Sequence, residues 1–166
     1  MILLMLRHEK SSWKEKDLQD HDRPLNKRGK RDAPRMGKLL KDLDLVPDLV
    51  ISSTAKRAKD TAKAIVKSSK YKGRIELNPS PYGADLDAYL KALRLVPDEF
   101  NKVLIVGHNP ALEELVRVLT DRTELMSTCA LADVDLKIKS WGNIGNKIDG
   151  QLINIWRPRE LWGDKE

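Results

Sequence analysis

Residues 2–8 read Ile2-Leu3-Leu4-Met5-Leu6-Arg7-His8, an unbroken apolar run that ends in two basic side chains. A run without polar alternation is typical of a strand buried on both faces, as in a parallel sheet covered by helices. The core of a sheet does not need an arginine and a histidine at the end of a strand. The segment therefore predicts a fold class and also a polar site at one edge of the sheet.

The same strand pattern recurs along the chain, and helical patterns separate the strands. Further buried-type strands are predicted at Asp48–Ser52, around Ile75–Leu77 and at Val103–Val106. Helical periodicity runs from about Lys30 to Leu43, from Ser53 or Thr54 to about Ser69, from Asp85 to Leu95 and from Asn109 to about Leu119. Strands that alternate with helices predict parallel pairing through helical crossovers.

The C-terminal part of the chain has a different pattern. Cys129–Ile138 and Gln151–Trp156 alternate between apolar and polar residues, and a stretch rich in glycine and asparagine joins them, which predicts an antiparallel hairpin. The whole chain, 1–166, is therefore expected to form a single α/β domain. The expected architecture is a three-layer sandwich with a mostly parallel central sheet flanked by helices and an antiparallel edge from the C-terminal hairpin.

Local signals also predict how three of the helices begin. Pro34 is expected in the first turn of the first helix, where its missing N–H is tolerated. Ser53 or Thr54 is the predicted N-cap of the second helix. Asn109 is the predicted N-cap of the last helix, with Pro110 at its first position.

Composition excludes several classes of protein. No apolar run approaches the ~18 residues of a membrane helix, so no membrane association is predicted. A single cysteine, Cys129, excludes an intrachain disulfide and favours a reducing, cytoplasmic location. With three histidines and one cysteine, no structural zinc site is expected. The net charge of +6 permits attraction to anions, but aromatic residues are only 5%, so no nucleic-acid partner is predicted.

Polar side chains follow three of the predicted buried strands. Arg7 and His8 follow the first strand, Arg57 lies in the first turn after the second, and His108 comes after Val103–Val106. In an open parallel sheet, ligands bind at the carboxyl ends of the strands, where helix N-termini also point. Each residue alone fits a surface or core role. Their joint placement predicts an anion site, and bidentate arginine binding makes phosphate the expected ligand.

A set of short motifs carries these residues in order along the chain. The motifs are Leu6-Arg7-His8, Arg23-Pro24-Leu25 with Gly29, Ser52-Ser53-Thr54-Ala55-Lys56-Arg57-Ala58 with Thr61, Val106-Gly107-His108-Asn109-Pro110, and Thr128. In these motifs the chain resembles the histidine phosphatase superfamily, and within it the small SixA-like branch of phosphohistidine phosphatases. The resemblance extends to about residue 138.

The resemblance implies a mechanism that needs neither metal nor cofactor. In the family, the histidine that matches His8 attacks phosphorus and carries a covalent phosphoryl group, which water then removes. Arg7 and Arg57 would clamp the phosphoryl oxygens, and His108 would donate to the same oxygens. Neighbouring arginines are expected to disfavour the charged form of His8 and so keep it nucleophilic.

The segment around Arg23 contributes one further candidate. Arg23 matches an arginine of the small branch, so the resemblance assigns it a further phosphate contact. The other interpretation makes it a turn residue paired with Asp22. His21, which stands between Asp20 and Asp22, is expected to lie in solvent.

Two departures from the family pattern concern the general acid. Glu9 stands where the family commonly has Gly or Ala, and its carboxylate is expected to point away from the anion site. Residues 81–87 contain no glutamate to match the acid of larger members, so Asp85 is a helix cap or an acid. The general acid is thus Glu9, Asp85 or none. A missing acid favours a phosphoramidate substrate, because a protonated imidazole is a good leaving group.

The favoured function is a metal-independent phosphatase that acts on phosphohistidine in a protein. The first alternative is a small-molecule phosphomonoesterase or mutase with the same chemistry on His8. The second is a non-catalytic module that binds phosphate or a protein. The expected partner is a phosphorylated protein or a small phosphorylated substrate, and the oligomeric state is left open.

Overall fold

A computed structural model describes residues 1–8, 12–79, 82, 85–148 and 150–163 of the chain. Its strands are β1 (Ile2–Arg7), β2 (Leu49–Ser53), β3 (Ile75–Asn78), β4 (Lys102–Gly107), β5 (Leu131–Leu136) and β6 (Gly150–Trp156). Its helices are α1 (Lys27–Asp42), α2 (Lys56–Ser69), α3 (Leu86–Arg94), α4 (Ala111–Thr120) and α5 (Pro158–Trp162). Short 3₁₀ turns lie at Asp20–Asp22 and Trp141–Asn143. None of the helices described here is both long and apolar enough to cross a bilayer.

The strands form one sheet in the order β3-β2-β4-β1-β5-β6. The first four strands pair in parallel, whereas β5 pairs antiparallel with both β1 and β6. Strand β6 therefore runs in the direction of β1. The register places Leu6 opposite Val106 in β4 and opposite Leu131 in β5, and Leu131 lies opposite Trp156 in β6. The predicted α/β sandwich with an antiparallel hairpin edge is confirmed.

Helices cover the sheet on both faces, so the core consists of two clusters. Because successive side chains of a strand point to opposite faces, Leu3 and Met5 pack with α3 and α4, while Leu4 and Leu6 pack with α1 and α2. All four of these side chains are fully buried. This two-sided burial explains why β1 is apolar without alternation.

Helix α1 begins earlier in the chain than its apolar pattern indicates. The side chain of Asn26 accepts a hydrogen bond from the Gly29 N–H at 2.9 Å and caps a helix that starts at Lys27. Pro34 consequently lies in the interior of α1. The prediction that Pro34 occupies the first turn is wrong.

The predicted caps of α2 and α4 are also wrong, because their side chains have other partners. Ala55 occupies the N-cap position of α2, and Ser53 Oγ, which accepts the Ala55 N–H at 3.2 Å, also contacts a histidine. Pro110 occupies the N-cap position of α4. Asn109 Nδ2 instead donates to Glu113 Oε1 at 2.9 Å.

Candidate active site

Three adjacent strands bring the four main candidate residues to one edge of the sheet. Arg7 ends β1 and His8 follows it, Arg57 lies in the first turn of α2 after β2, and His108 follows β4. Arg57 Nε lies 3.4 Å from His8 Nε2, and the rings of His8 and His108 are 4.8 Å apart between centroids. Arg7 Nη1 donates to the Met126 carbonyl at 2.9 Å. The expected convergence at the carboxyl ends of the strands is present.

The contact between Arg57 and His8 constrains the protonation of the histidine. Arg57 Nε carries a hydrogen and can only donate, so His8 Nε2 accepts with its lone pair. An unprotonated imidazole nitrogen is the form that can attack phosphorus. The His8 backbone N–H donates to the Gly107 carbonyl at 2.9 Å, which continues the pairing of β1 with β4 just beyond the end of β1.

His108 is held in its neutral form. The residue is only 5% exposed. Burial is the main cause that lowers the pKa of His108 to about 3, and the positive charge of Arg57 acts in the same direction. The imidazole of His108 therefore carries a single N–H at neutral pH.

Ser53 contacts one of the two ring nitrogens of His108. Ser53 Oγ accepts the Ala55 N–H at 3.2 Å and lies 2.8 Å from His108 Nε2. One arrangement that satisfies both contacts has the Ser53 hydroxyl donating to Nε2, with the imidazole hydrogen on Nδ1. His108 Nδ1 is buried and has no hydrogen-bond partner among the described residues. A buried donor without a partner fits a site for an anion oxygen.

Tyr89 of α3 fixes the backbone of His108. The His108 N–H donates to the Tyr89 hydroxyl oxygen at 2.8 Å. The ring of Tyr89 lies directly against Gly107, where an added Cβ would be 2.8 Å from Tyr89 Cε1. Glycine therefore precedes His108 because any larger residue would displace this tyrosine. Tyr89 lies within the predicted helix from Asp85 to Leu95, and nothing in the sequence pattern marks its hydroxyl.

Sequence reasoning also missed the residues that hold Arg57. Arg57 Nη1 donates to the Asp20 carbonyl at 2.6 Å, and Nη2 donates to Asp20 Oδ2 at 2.9 Å. The Tyr82 hydroxyl donates to the same carboxylate oxygen at 3.2 Å. Burial acts against the ionised carboxylate, but the charge and hydrogen bond of Arg57 keep the pKa of Asp20 below its ordinary value. Asp20 and Tyr82 lie in segments without periodicity, so no signal in the sequence joins them to Arg57.

His21 is less exposed to solvent than expected. Its Nε2 lies 3.2 Å from Thr54 Oγ1, and its ring meets the Tyr82 ring edge-on at 4.9 Å between centroids. The Tyr82 ring in turn lies 5.6 Å from the ring of His108. The 3₁₀ turn Asp20–Asp22 is thus packed against the site.

The side chain of Arg23 has different contacts from those of the other four candidates. Its guanidinium stacks on the Trp13 ring at 3.8 Å from Cζ to the centroid, and Nη1 donates to the Glu15 carbonyl at 3.4 Å. Within the described part of the chain, Arg23 makes no ion pair with Asp22, which contacts His21 instead. Arg23 is buried, and its Nε has no partner among the described residues.

The two candidates for the general acid have different outcomes. Asp85 is the N-cap of α3, and its side chain accepts the Asp87 N–H at 3.0 Å. Its interpretation as a helix cap is confirmed. Glu9 lies outside the described residues.

Comparison with known proteins agrees with this geometry. Residues 3–80, which include β1, β2, Arg7, His8 and Arg57, match the family model of the histidine phosphatase superfamily, branch 1. The chain belongs to the histidine phosphatase superfamily. Membership of this superfamily, together with the SixA structural neighbours described next, supports phosphatase activity.

A relative and two solved structures match nearly the whole chain. An uncharacterized protein of Mycobacterium tuberculosis is 34% identical over 163 residues, which are 97% of this chain and 92% of the relative. A candidate SixA phosphohistidine phosphatase from Agrobacterium tumefaciens is 27% identical with a TM-score of 0.80, over 95% of this chain and 97% of that one. The protein histidine phosphatase SixA complexed with tungstate shares the fold, with a TM-score of 0.83 at 22% identity over 97% and 99%.

Proposed function

We propose that the protein is a metal-independent phosphatase that removes the phosphoryl group from phosphohistidine in a protein, through a covalent intermediate on His8. The observation that carries the proposal is the hydrogen bond from Arg57 Nε to His8 Nε2 at 3.4 Å, with the neutral ring of His108 beside it. A nucleophile, a guanidinium and a neutral donor thus surround one point. These are the groups that phosphoryl transfer requires.

The proposed first step forms a bond between His8 Nε2 and phosphorus. The P–N bond of the substrate breaks, and the leaving imidazole keeps that electron pair and ends protonated from solvent. Arg7 and Arg57 bind the non-bridging oxygens, and His108 donates its Nδ1 hydrogen to one of them. The guanidinium groups supply the positive charge that a metal ion provides in other phosphatases.

The second step returns the enzyme to its starting state. Water attacks phosphorus, the bond to His8 Nε2 breaks, and inorganic phosphate leaves while one proton passes to solvent. Arg23 is kept as a further phosphate contact, because its buried Nε has no partner among the described residues. Such a donor can turn toward an anion at little cost in other hydrogen bonds.

The acids near the site favour a phosphoramidate substrate. Asp20 is ionised, since the pKa of its carboxyl lies below the ordinary value. Asp85 is engaged as the cap of α3. Neither is suited to protonate an alkoxide leaving group, whereas an imidazole leaving group needs little acid assistance. We also infer a cytoplasmic location, which Cys129 supports because, as the single cysteine of the chain, it can form no intrachain disulfide.

The test is phosphate release from a phosphohistidine-bearing protein in the presence of a chelator. We expect rapid release by the wild type, loss of release in His8→Ala, and retained release in Arg74→Ala, a control at an exposed residue just before β3. An acid-labile phosphoryl label on the wild type, absent from His8→Ala, identifies the intermediate. Release that persists in His8→Ala would remove His8 as nucleophile.

Two further outcomes would select the alternatives. A long-lived phosphoenzyme that passes its group to a sugar phosphate rather than to water would make the protein a mutase. Binding of phosphate without release from any substrate would make it a non-catalytic module.

A further inference from the structure

A cavity of about 650 Å³ adjoins the candidate active site, and Arg7 belongs to both. Its walls come from the start of α1, from the segment 123–128 before β5, and from the start of α5. The cavity is much larger than one phosphate group needs, and its volume falls in the range of ordinary ligand pockets.

The cavity lies on the opposite side of Arg7 from Arg57. In the sheet, β2 and β4 stand on one side of β1, and β5 and β6 stand on the other. The ends of β1 and β6 share an edge, because Leu6 and Trp156 both lie opposite Leu131. The crevice at the carboxyl ends of the strands therefore continues past β1 into the cavity. A substrate whose phosphoryl group is bound between His8 and Arg57 can therefore extend along this edge into the cavity.

The described residues that line the cavity carry an excess of positive charge. They include four arginines, Arg7, Arg28, Arg157 and Arg159, and two acids, Glu124 and Glu160. Both acids pair with Arg157, at 3.1 Å and 3.4 Å, and Glu124 also lies 3.7 Å from Arg122, which is not among the described lining residues. Arginines therefore outnumber acids by two in this lining. Hydroxyl groups of the segment 123–128 add further donors.

Arg28 is arranged to keep its charge available to the cavity. Its contact with Asp32 is long, at 3.5 Å, whereas Arg31 binds the same carboxylate at 2.8 Å and Arg35 approaches it to 3.6 Å. One buried carboxylate thus serves three guanidinium groups. Loss of Arg28 would leave Asp32 with two cationic partners, so this arginine is not required to neutralise the buried acid.

We propose that the cavity is a second anion subsite, which binds a carboxylate or phosphate group that the substrate carries beside the phosphoryl group to be transferred. The inference rests on the proposed function and narrows its substrate class. In a protein substrate the second anion is an acidic side chain next to the phosphohistidine. In a small-molecule substrate it is a second phosphate.

The test compares kcat/KM within two pairs of substrates. The first pair is two phosphohistidine peptides of equal length, with glutamate or with glutamine on both sides of the phosphohistidine. The second pair is a hexose bisphosphate and a hexose monophosphate. One charge-assisted contact supports an expected preference of about 10-fold for the doubly anionic member in one of the pairs. The pair that shows the preference identifies the source of the second anion.

Variants of the cavity connect the preference to its residues. We expect the preference to fall toward one in Arg28→Gln with Arg159→Gln, and to persist in Arg74→Gln. Arg74 is an exposed arginine just before β3, at the amino edge of the sheet, so this control removes the same charge away from the crevice. Circular dichroism and thermal unfolding confirm that each variant folds.

Each remaining outcome contradicts the proposal in a distinct way. Turnover without preference in both pairs overturns the subsite and leaves the phosphatase standing. A preference that survives in the double variant places the second anion elsewhere and also overturns it. No turnover of any substrate refutes the proposed function, and the subsite falls with it.

Discussion

The two sides of the crevice differ in how their arginines are held. On the β2 side, Arg57 is buried and bound by the Asp20 turn through two nitrogens, and the carboxylate of Asp20 is 56% exposed. On the β5 side, Arg7 borders a cavity with three further arginines. The β2 side of the crevice thus presents the Asp20 carboxylate, and the β5 side presents the arginines of the cavity.

This asymmetry indicates the direction in which a substrate extends. An anionic group is repelled by the Asp20 carboxylate and attracted by the arginine cavity, so under the proposed function the part of the substrate beyond the phosphoryl group would point toward β5. Arg57 would then bind the reacting phosphoryl group, and Arg7 would lie between that group and the rest of the substrate. Four predictions test this division.

The largest expected effect comes from Arg57→Lys. Lysine keeps the charge but lacks the planar fork that reaches His8 Nε2 and the Asp20 turn together. We expect kcat to fall by about 10²–10³-fold, the usual effect of removing one donor to a developing oxyanion. Steady-state kinetics on a phosphohistidine substrate measures this, with Arg74→Lys as the control. A decrease of less than threefold would show that charge alone suffices on this side.

The second prediction concerns stability against pH. The pKa of His108 is lowered to about 3, so the unfolded chain takes up this proton at higher pH than the folded one. The contribution of neutral His108 to the free energy of unfolding is complete above about pH 6.5 and is lost as the pH falls toward 3. At pH 5 we expect the wild type to lose about 2 kcal/mol through this group. His108→Gln should lose correspondingly less in urea unfolding, whereas His21→Gln, which leaves His108 in place, should follow the wild type.

The third prediction concerns the acidic turn itself. Asp20→Asn removes a negative charge beside Arg57, and an unscreened charge pair near 4 Å in water is worth about 1 kcal/mol. We expect inorganic phosphate to bind about 5-fold more tightly by calorimetry. Asp22→Asn is the matched control, because Asp22 contacts His21 and not Arg57. Equal effects of the two substitutions would mean that the net charge of the protein, and not the contact between Asp20 and Arg57, limits the affinity for phosphate.

The smallest expected effect comes from Trp13→Ala. Stacking of Arg23 on this exposed ring is worth about 0.5–1 kcal/mol, so stability should fall by that amount. If Arg23 contacts the phosphate as proposed, KM should also rise about twofold, because the stacking that positions its guanidinium is lost. Trp162→Ala removes a similar contact with Arg35 and should leave KM unchanged. If KM is equal in both variants, Arg23 is not a phosphate contact.

The sequence predicts the sheet and the central site well because both depend on strong local signals. Strand β1 is buried on both faces, so its apolar run is continuous, and the parallel order then places His8 and His108 together although 100 residues separate them. The proximity of the side chains at the strand ends therefore follows from the strand order alone. No contact had to be known in advance.

The residues that support the site are not predictable in this way. Ser53 has the local signal of a helix cap, yet its hydroxyl contacts His108. Asn109 has the same kind of signal, yet its side chain donates to Glu113. A short polar side chain binds whichever partner the tertiary structure places nearby. Asp20 lies in an irregular segment and contacts Arg57, which comes 37 residues later in the sequence. No pattern in the sequence around Asp20 predicts this long-range contact.

The position of Arg7 and His8 at the end of β1 has a consequence for inheritance and engineering of the site. Leu3 and Met5 face one layer and Leu4 and Leu6 face the other, so consecutive residues here serve opposite sides of the sheet. A shift of β1 by one residue toward its carboxyl end would place Arg7 at the position of His8 and Leu6 at the position of Arg7. Pairing with β4 on one side and β5 on the other prevents that shift. Because Arg57 follows β2, the smallest transferable unit of this site is the four adjacent strands β2, β4, β1 and β5 rather than a two-residue motif.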